Sequence, residues 1–140
     1  KGMGRRLPTE AEWERAAMPP KVEGEFPWGN FKPDCLRANF VDCDLKLKDA
    51  GFNSLGKSSF EVYDMAGNVA EWVNDWYDER AYSNMPNTNP RGAATGTQKV
   101  YRGGHFRANT VEIRKSTRMY ALPATRSNLT GFRCAQDATN

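Results

Sequence analysis

The chain has 140 residues, 39% of them apolar, and a formal net charge of +3. That length suits one domain able to bury a core, and four Trp, five Tyr and seven Phe exclude a disordered composition. Lys and Arg interleave with Asp and Glu, which describes a solvated surface and argues against a nucleic-acid-binding face. No apolar run approaches the ~20 residues that span a bilayer, and no signal-peptide or lipidation motif is present.

The sequence opens "KGMGRRLPTE" without an initiator methionine, so a preceding segment is expected. "LPTEAEWERAA" then predicts a helix. Thr9 is placed to cap it, and Glu12, three residues on, completes a capping box. Trp13 and Ala17, with Ala16 beside them, form one apolar stripe. The "MPP" of Met18 to Pro20 is expected to stop the helix.

From "FPWGN" to "GFNSLGKSS" the chain reads as irregular, with recurrent Gly, Pro, Asn and Asp. Three cysteines, Cys35, Cys43 and Cys134, are too few to pair completely within the chain. "CLRANFVDC" closes a short loop, in which Cys35 and Cys43 are either a disulfide, in an oxidising compartment, or two reduced thiols. A zinc site is not expected, because the spacing is wrong and His105 is the only histidine. A second short helix or turn is expected within "VNDWYDERAY". "QKVYRGG" and "TGFRCAQD" read as short strands, with Val100, Tyr101 and Phe132 buried. The result is a loop-rich α+β domain. Such a fold must satisfy many backbone groups through side chains, waters or ions.

Five motifs occur in order: "RLPTEAEWERAA" at 6–17, "FPWGN" at 26–30, "VYDMAGNVAEWVNDWY" at 62–77, "VYRGGHF" at 100–106 and "GFRCA" at 131–135. Together they resemble the formylglycine-generating enzyme family, or sulfatase-modifying-factor domain. The resemblance covers residues 1–140 and corresponds to the C-terminal part of the family domain, its N-terminal segment lying upstream of RLPTE. It implies a loop-rich variant of the C-type-lectin-like fold. It also implies chemistry, because family enzymes oxidise a cysteine of a sulfatase with molecular oxygen and copper held by two active-site cysteines. Other branches make sulfoxides, act in siderophore maturation or have binding roles.

Set against the family's active-site pattern, the first cysteine position is Ala108 and the second, five residues on, is Ile113. Neither forms a thiolate, so copper is not expected here. The serine after RGG is His105, and the tryptophan of the GNxWEW pattern is Ala70, while Asn68 is retained. Family precedent pairs the GFRC cysteine with one upstream of RLPTE, so Cys134 is expected to be a buried or orphaned structural thiol rather than a nucleophile.

The resemblance implies two calcium sites. One takes the Asp64 side chain, the Gly67 and Val69 carbonyls and the Glu71 carboxylate. The other takes Asn39, the Phe40 carbonyl and Asp49, with the Phe52 carbonyl displaced in spacing, and full occupancy there is not expected. Oxygen donors of this kind suit a hard cation.

His105 invites a general-base role, but the sequence shows no partner or substrate for it, and a pocket-lining or structural imidazole is expected. Arg102, Arg107, Arg114, Lys115 and Arg118 could bind phosphate, against which the near-balanced charge argues. Arg133 needs a carboxylate partner. The sequon at Asn128 could carry a glycan only in a eukaryotic secretory setting. Two main readings result. One is a calcium-stabilised binding module for a protein, peptide or glycan ligand. The other is an enzyme of the same superfamily with different oxidative, non-heme metal chemistry, completed by fused or upstream regions. A structural subunit is a third. An extracytoplasmic location is expected if Cys35 and Cys43 are paired.

Overall fold

The computed structural model of the chain describes residues 4–18 and 23–138. It is an α+β fold of short elements joined by long loops. Strand β1 (Arg5–Arg6) leads into helix α1 (Glu10–Ala17). A single 3-10 turn (Ser54–Gly56) interrupts the loops before β2 (Ala70–Trp76), the short helix α2 (Ala81–Asn84), β3 (Lys99–Arg102), β4 (Arg118–Ala121), β5 (Thr130–Phe132) and β6 (Ala135–Gln136).

Helix α1 forms as the sequence predicts. The Glu12 amide donates to Thr9 Oγ1 at 3.2 Å, and the Thr9 amide donates back to the Glu12 carboxylate at 2.8 Å. Trp13 and Ala17 are fully buried. At about 25 cal/mol per Å² and roughly 150–250 Å² per buried aromatic, Trp13 contributes about 4–6 kcal/mol before ordering entropy is subtracted. The helix ends at Ala17, where the Met18 amide donates to the Glu14 carbonyl. Pro19 and Pro20 lie outside the described residues.

A four-stranded sheet carries the fold in the order β4-β3-β2-β5, and a two-stranded ribbon joins β1 to β6 near the chain ends. β2 is antiparallel to β3, with Trp72 opposite Tyr101, and parallel to β5, with Glu71 opposite Gly131. β3 is antiparallel to β4, with Arg102 opposite Arg118. Arg6 fastens the ribbon to α1 by bonding both Glu12 and Asp137.

Four expectations need correction or refinement. The short helix or turn expected within "VNDWYDERAY" is there, as a turn at 79–80 leading into α2 at Ala81, but its first four residues, "VNDW", are the end of β2, a strand that was not expected. Its strand alternation is disguised because a buried position, Asp75, is acidic. That carboxylate accepts from the Glu10 amide at 2.7 Å and so anchors the N-terminus of α1. "TGFRCAQD" is two strands, since Arg133 leaves the sheet line to reach Glu71. Phe132 is 67% exposed, on the edge strand β5. Cys134 is exposed and free, so the buried-thiol alternative fails for it. Val100 is fully buried as expected, and Tyr101 is half-buried, edge-on to Trp72 at 5.2 Å.

Adjacent residues of the DMAG segment feed two apolar clusters. Met65 joins Trp13, Ala17, Val73 and Val100. Ala66 joins Phe26, Ala38, Phe40, Ala108 and Ile113. Cys35 and Cys43 form a disulfide with Cα atoms 5.8 Å apart, and Cys43 packs on the second cluster. The disulfide is compatible with a location outside the cytoplasm. Among the described residues no helix is long and apolar enough to cross a membrane.

Candidate functional site

The segment 102–118 is built around two glycines that only glycine can satisfy. Gly103 and Gly104 have φ of +93° and +68°. A Cβ at Gly104 would fall 2.8 Å from Ile113 Cγ2 and 2.9 Å from the Glu112 carbonyl oxygen. The Gly103 carbonyl accepts from the Gly67 amide at 2.7 Å, and the Phe106 amide donates to the Asn68 carbonyl at 2.9 Å. These bonds stitch the segment to the DMAGN loop. The Val41 amide donates to the Ala108 carbonyl at 3.0 Å, which ties it to the disulfide loop as well.

The two positions where the family pattern needs cysteines are thus brought into the same apolar cluster. Ala108 and Ile113 are both 0% exposed. Their neighbours are Phe26, Ala38, Phe40 and Ala66. Ala70 is also fully buried. His105 is half-buried, and its Nδ1 accepts from the Arg107 amide at 3.2 Å. That bond assigns the proton to Nε2. Burial pushes the imidazole pKa down, helped by the Arg107 charge and opposed by Glu112. His105 is therefore neutral at pH 7 and a hydrogen-bond donor through Nε2.

The cations of the segment are mostly committed. Arg102 is 0% exposed and bonds Glu10, Glu14 and the Lys115 carbonyl. Arg118 bonds both oxygens of Glu10. Arg114 pairs with Glu25 at 3.3 Å. The basic run is thus largely an internal ion network rather than a face for phosphate. Glu10 is the residue that sequence reasoning missed. Its place on α1 looks like that of any exposed first-turn acid.

The two sets of expected calcium donors differ in fit. Both Glu71 oxygens are taken: Arg133 donates to each, and Trp13 Nε1 donates at 2.7 Å. Asp64 accepts from the Gly51 amide at 2.6 Å. A dication beside Glu71 would face the Arg133 guanidinium, so the Asp64, Gly67, Val69 and Glu71 set does not fit a cation as arranged. Arg133 also reaches the Tyr63 carbonyl at 3.0 Å. Asn39 is different. Its Nδ2 donates to the Lys46 carbonyl and to Asn68 Oδ1, while its buried Oδ1 has no partner. An orphaned buried acceptor is costly, and an amide oxygen of this kind suits a hard cation. Asn39 and its neighbour Phe40 are buried and Asp49 is exposed.

Among the described residues, clefts of about 360 Å³ and about 250 Å³ open on the surface. The first runs between the FPWGN turn and residues 54–61. The second is lined by the disulfide, Asn39, Lys48 and Phe52. Neither is lined by His105, Ala108 or Ile113, so the expected pocket wall at His105 is not part of either.

Comparison with known proteins agrees with this arrangement. Residues 1–138 match the family described as the sulfatase-modifying factor enzyme 1-like domain. A formylglycine-generating enzyme of Thermomonospora curvata is 34% identical over 96% of this chain and 50% of its own length. The serine/threonine-protein kinase Pkn1 of Chlamydia trachomatis serovar L2 is 37% identical over 96% of this chain, which spans 22% of the kinase. Among solved structures, Treponema denticola variable protein 1 superposes with a TM-score of 0.76 at 27% identity, over 93% of this chain and 46% of that one. The chain therefore spans half or less of each of these relatives. The glycine-pinned segment, the DMAGN loop and the match over nearly every residue together make this chain a member of the sulfatase-modifying factor enzyme 1-like domain family.

Proposed function

We propose that this chain is a binding domain of its family in which formylglycine-generating chemistry is lost. One observation carries the reading: residues 108 and 113, where two thiolates are needed, are Ala and Ile inside a filled apolar cluster. Copper would find neither a soft ligand nor an opening there. The test is oxygen uptake by the protein with a CxPxR peptide, with and without copper. No uptake above buffer is expected, and turnover of the peptide would overturn the proposal.

The domain is further proposed to take calcium at Asn39, with the Phe40 carbonyl and Asp49. The partnerless Asn39 Oδ1 supports this assignment. Calcium at a hundredfold excess over its Kd would raise stability by about 2.7 kcal/mol. The melting temperature should rise with calcium and fall with chelator. An unchanged melting temperature after verified removal of the metal refutes the site. The disulfide supports export to an oxidising compartment.

A further inference from the structure

The geometry points to a binding site for a neutral saccharide in the cleft between Trp28 and Ser58. The first wall is the FPWGN turn. Phe26 and Gly29 exchange backbone hydrogen bonds at 3.1 and 3.0 Å, which leaves Pro27 and Trp28 at the tip. Gly29 has φ +111°. A Cβ on Gly24 would fall 2.4 Å from the Gly29 carbonyl carbon, so the turn is seated directly on the backbone beneath it. Phe26 stacks on the indole of Trp28 with centroids 5.2 Å apart and planes 6° from parallel. Trp28 Nε1 donates to the Phe31 carbonyl at 3.0 Å. The indole is thus held by a ring on one face and by a hydrogen bond at its polar edge. It stays only partly buried and lines a cleft of about 360 Å³.

The residues facing it are mostly polar, Ser54, Lys57, Ser58, Ser59 and Glu61, with the exposed Leu55 among them. Ser58 is 2% exposed, and its hydroxyl has no hydrogen-bond partner. A tight turn holds it: the Ser58 amide donates to the Val62 carbonyl, and the Glu61 amide donates to the Ser58 carbonyl at 2.8 Å. Native structures rarely leave such a group unpaired unless a ligand, ion or water completes it. At the rim, Lys57 and Glu61 pair at 2.6 Å, giving a donor and an acceptor with no net charge.

These walls specify the ligand chemistry. A rigid indole favours a flat, weakly polar C–H face, because its own face carries partial negative charge. The orphaned hydroxyl and the rim pair need a ligand with hydroxyl groups that both donate and accept. The cancelled charge selects against an anion or a cation. A pyranose ring has all three properties. The cleft is at the small end of ligand sites, which suits one or two rings. Because Trp28 is already held, little ordering is lost on binding. The inference supplies the binding-domain reading with a ligand class. It can fail without that reading failing, since oxygen uptake and saccharide binding are separate measurements.

The experiment is an NMR titration of the full chain with methyl β-D-glucopyranoside, methyl α-D-mannopyranoside, methyl β-D-galactopyranoside and N,N′-diacetylchitobiose. At least one is expected to shift the Trp28 indole N–H resonance saturably. Trp28→Ala removes that reporter, so binding by this variant is read from the backbone amide resonances of Lys57, Ser58, Ser59 and Glu61, which should no longer shift saturably. Ser58→Ala is the sharper variant. Removing a partnerless buried hydroxyl should leave the melting temperature unchanged or raised, yet weaken binding about 5–10-fold. Absence of a saturable shift with all four sugars overturns the site. So does Ser58→Ala binding at wild-type affinity. Saturation by an oligoproline peptide, with none by the sugars, would overturn the ligand class.

Discussion

Glu10→Gln is the most informative single test of how this domain is held together. The Glu10 carboxylate is 3% exposed and lies between two guanidinium groups. Arg102 reaches Oε1, while Arg118 takes Oε1 at 2.7 Å and Oε2 at 2.8 Å. These bonds lock α1 to the facing ends of β3 and β4. Neutralising the carboxylate leaves two cations short of a partner, one of them fully buried. Breaking a buried pair in this way costs about 3–5 kcal/mol. Arg102 keeps Glu14 and the Lys115 carbonyl, so the lower end, about 3 kcal/mol, applies. With roughly 2.1 cal/mol/K of unfolding entropy per residue over 140 residues, the melting temperature should fall by about 10 °C. Calorimetry and urea denaturation at pH 7 measure both quantities. The deficit should persist at high salt, because a buried pair is little screened. A loss below about 1 kcal/mol, or one that disappears in salt, would show that the network behaves as a solvated surface cluster.

Gly67→Ala should cost about 2–4 kcal/mol in urea denaturation, from a left-handed φ of +79° plus a Cβ only 2.3 Å from the Asn39 carbonyl oxygen. Gly51→Ala is its control, since φ there is +80° with nothing within 4 Å, and it should show the conformational part alone. Equal losses for the two would disprove the close approach. Hydrogen bonds from Arg6 hold the Glu12 carboxyl down to about 2, against an ordinary 4.5. A depressed carboxylate stabilises the fold above its unfolded pKa, and the contribution is lost as pH falls from about 4.5 towards 2. Glu12 is 45% exposed, so screening limits the contribution to about 1 kcal/mol. Arg6→Ala should remove that part of the acid limb in a pH series of melting temperatures, and an unaltered limb would refute the assignment.

Local chemistry was legible in the sequence where one residue's neighbours in the chain are also its neighbours in space. The capping box at Thr9 and Glu12, the strand at Val100 and the glycine pair after Arg102 are of this kind. The motif order identified the family, and residue counting showed that 108 and 113 hold no thiols. Strand β2 was not foreseen because its buried Asp75 serves a helix 65 residues away in sequence, a partnership no local pattern records. Phe132 was expected to be buried and is exposed, because alternation along a strand does not say which face of the sheet is covered. The disulfide alternatives at Cys35 and Cys43 needed the distance between them.

What the sequence determined by itself is therefore the inventory: a capped helix, short strands, an active-site segment without its cysteines. Tertiary structure alone decided how the charged and polar groups are partnered. It gave Glu71 to Arg133 and Trp13, Glu10 to two arginines, and left Asn39 Oδ1 and the Ser58 hydroxyl without partners. The reason is physical. Polar satisfaction depends on distances of about 3 Å between residues tens of positions apart, and only the folded chain sets those distances.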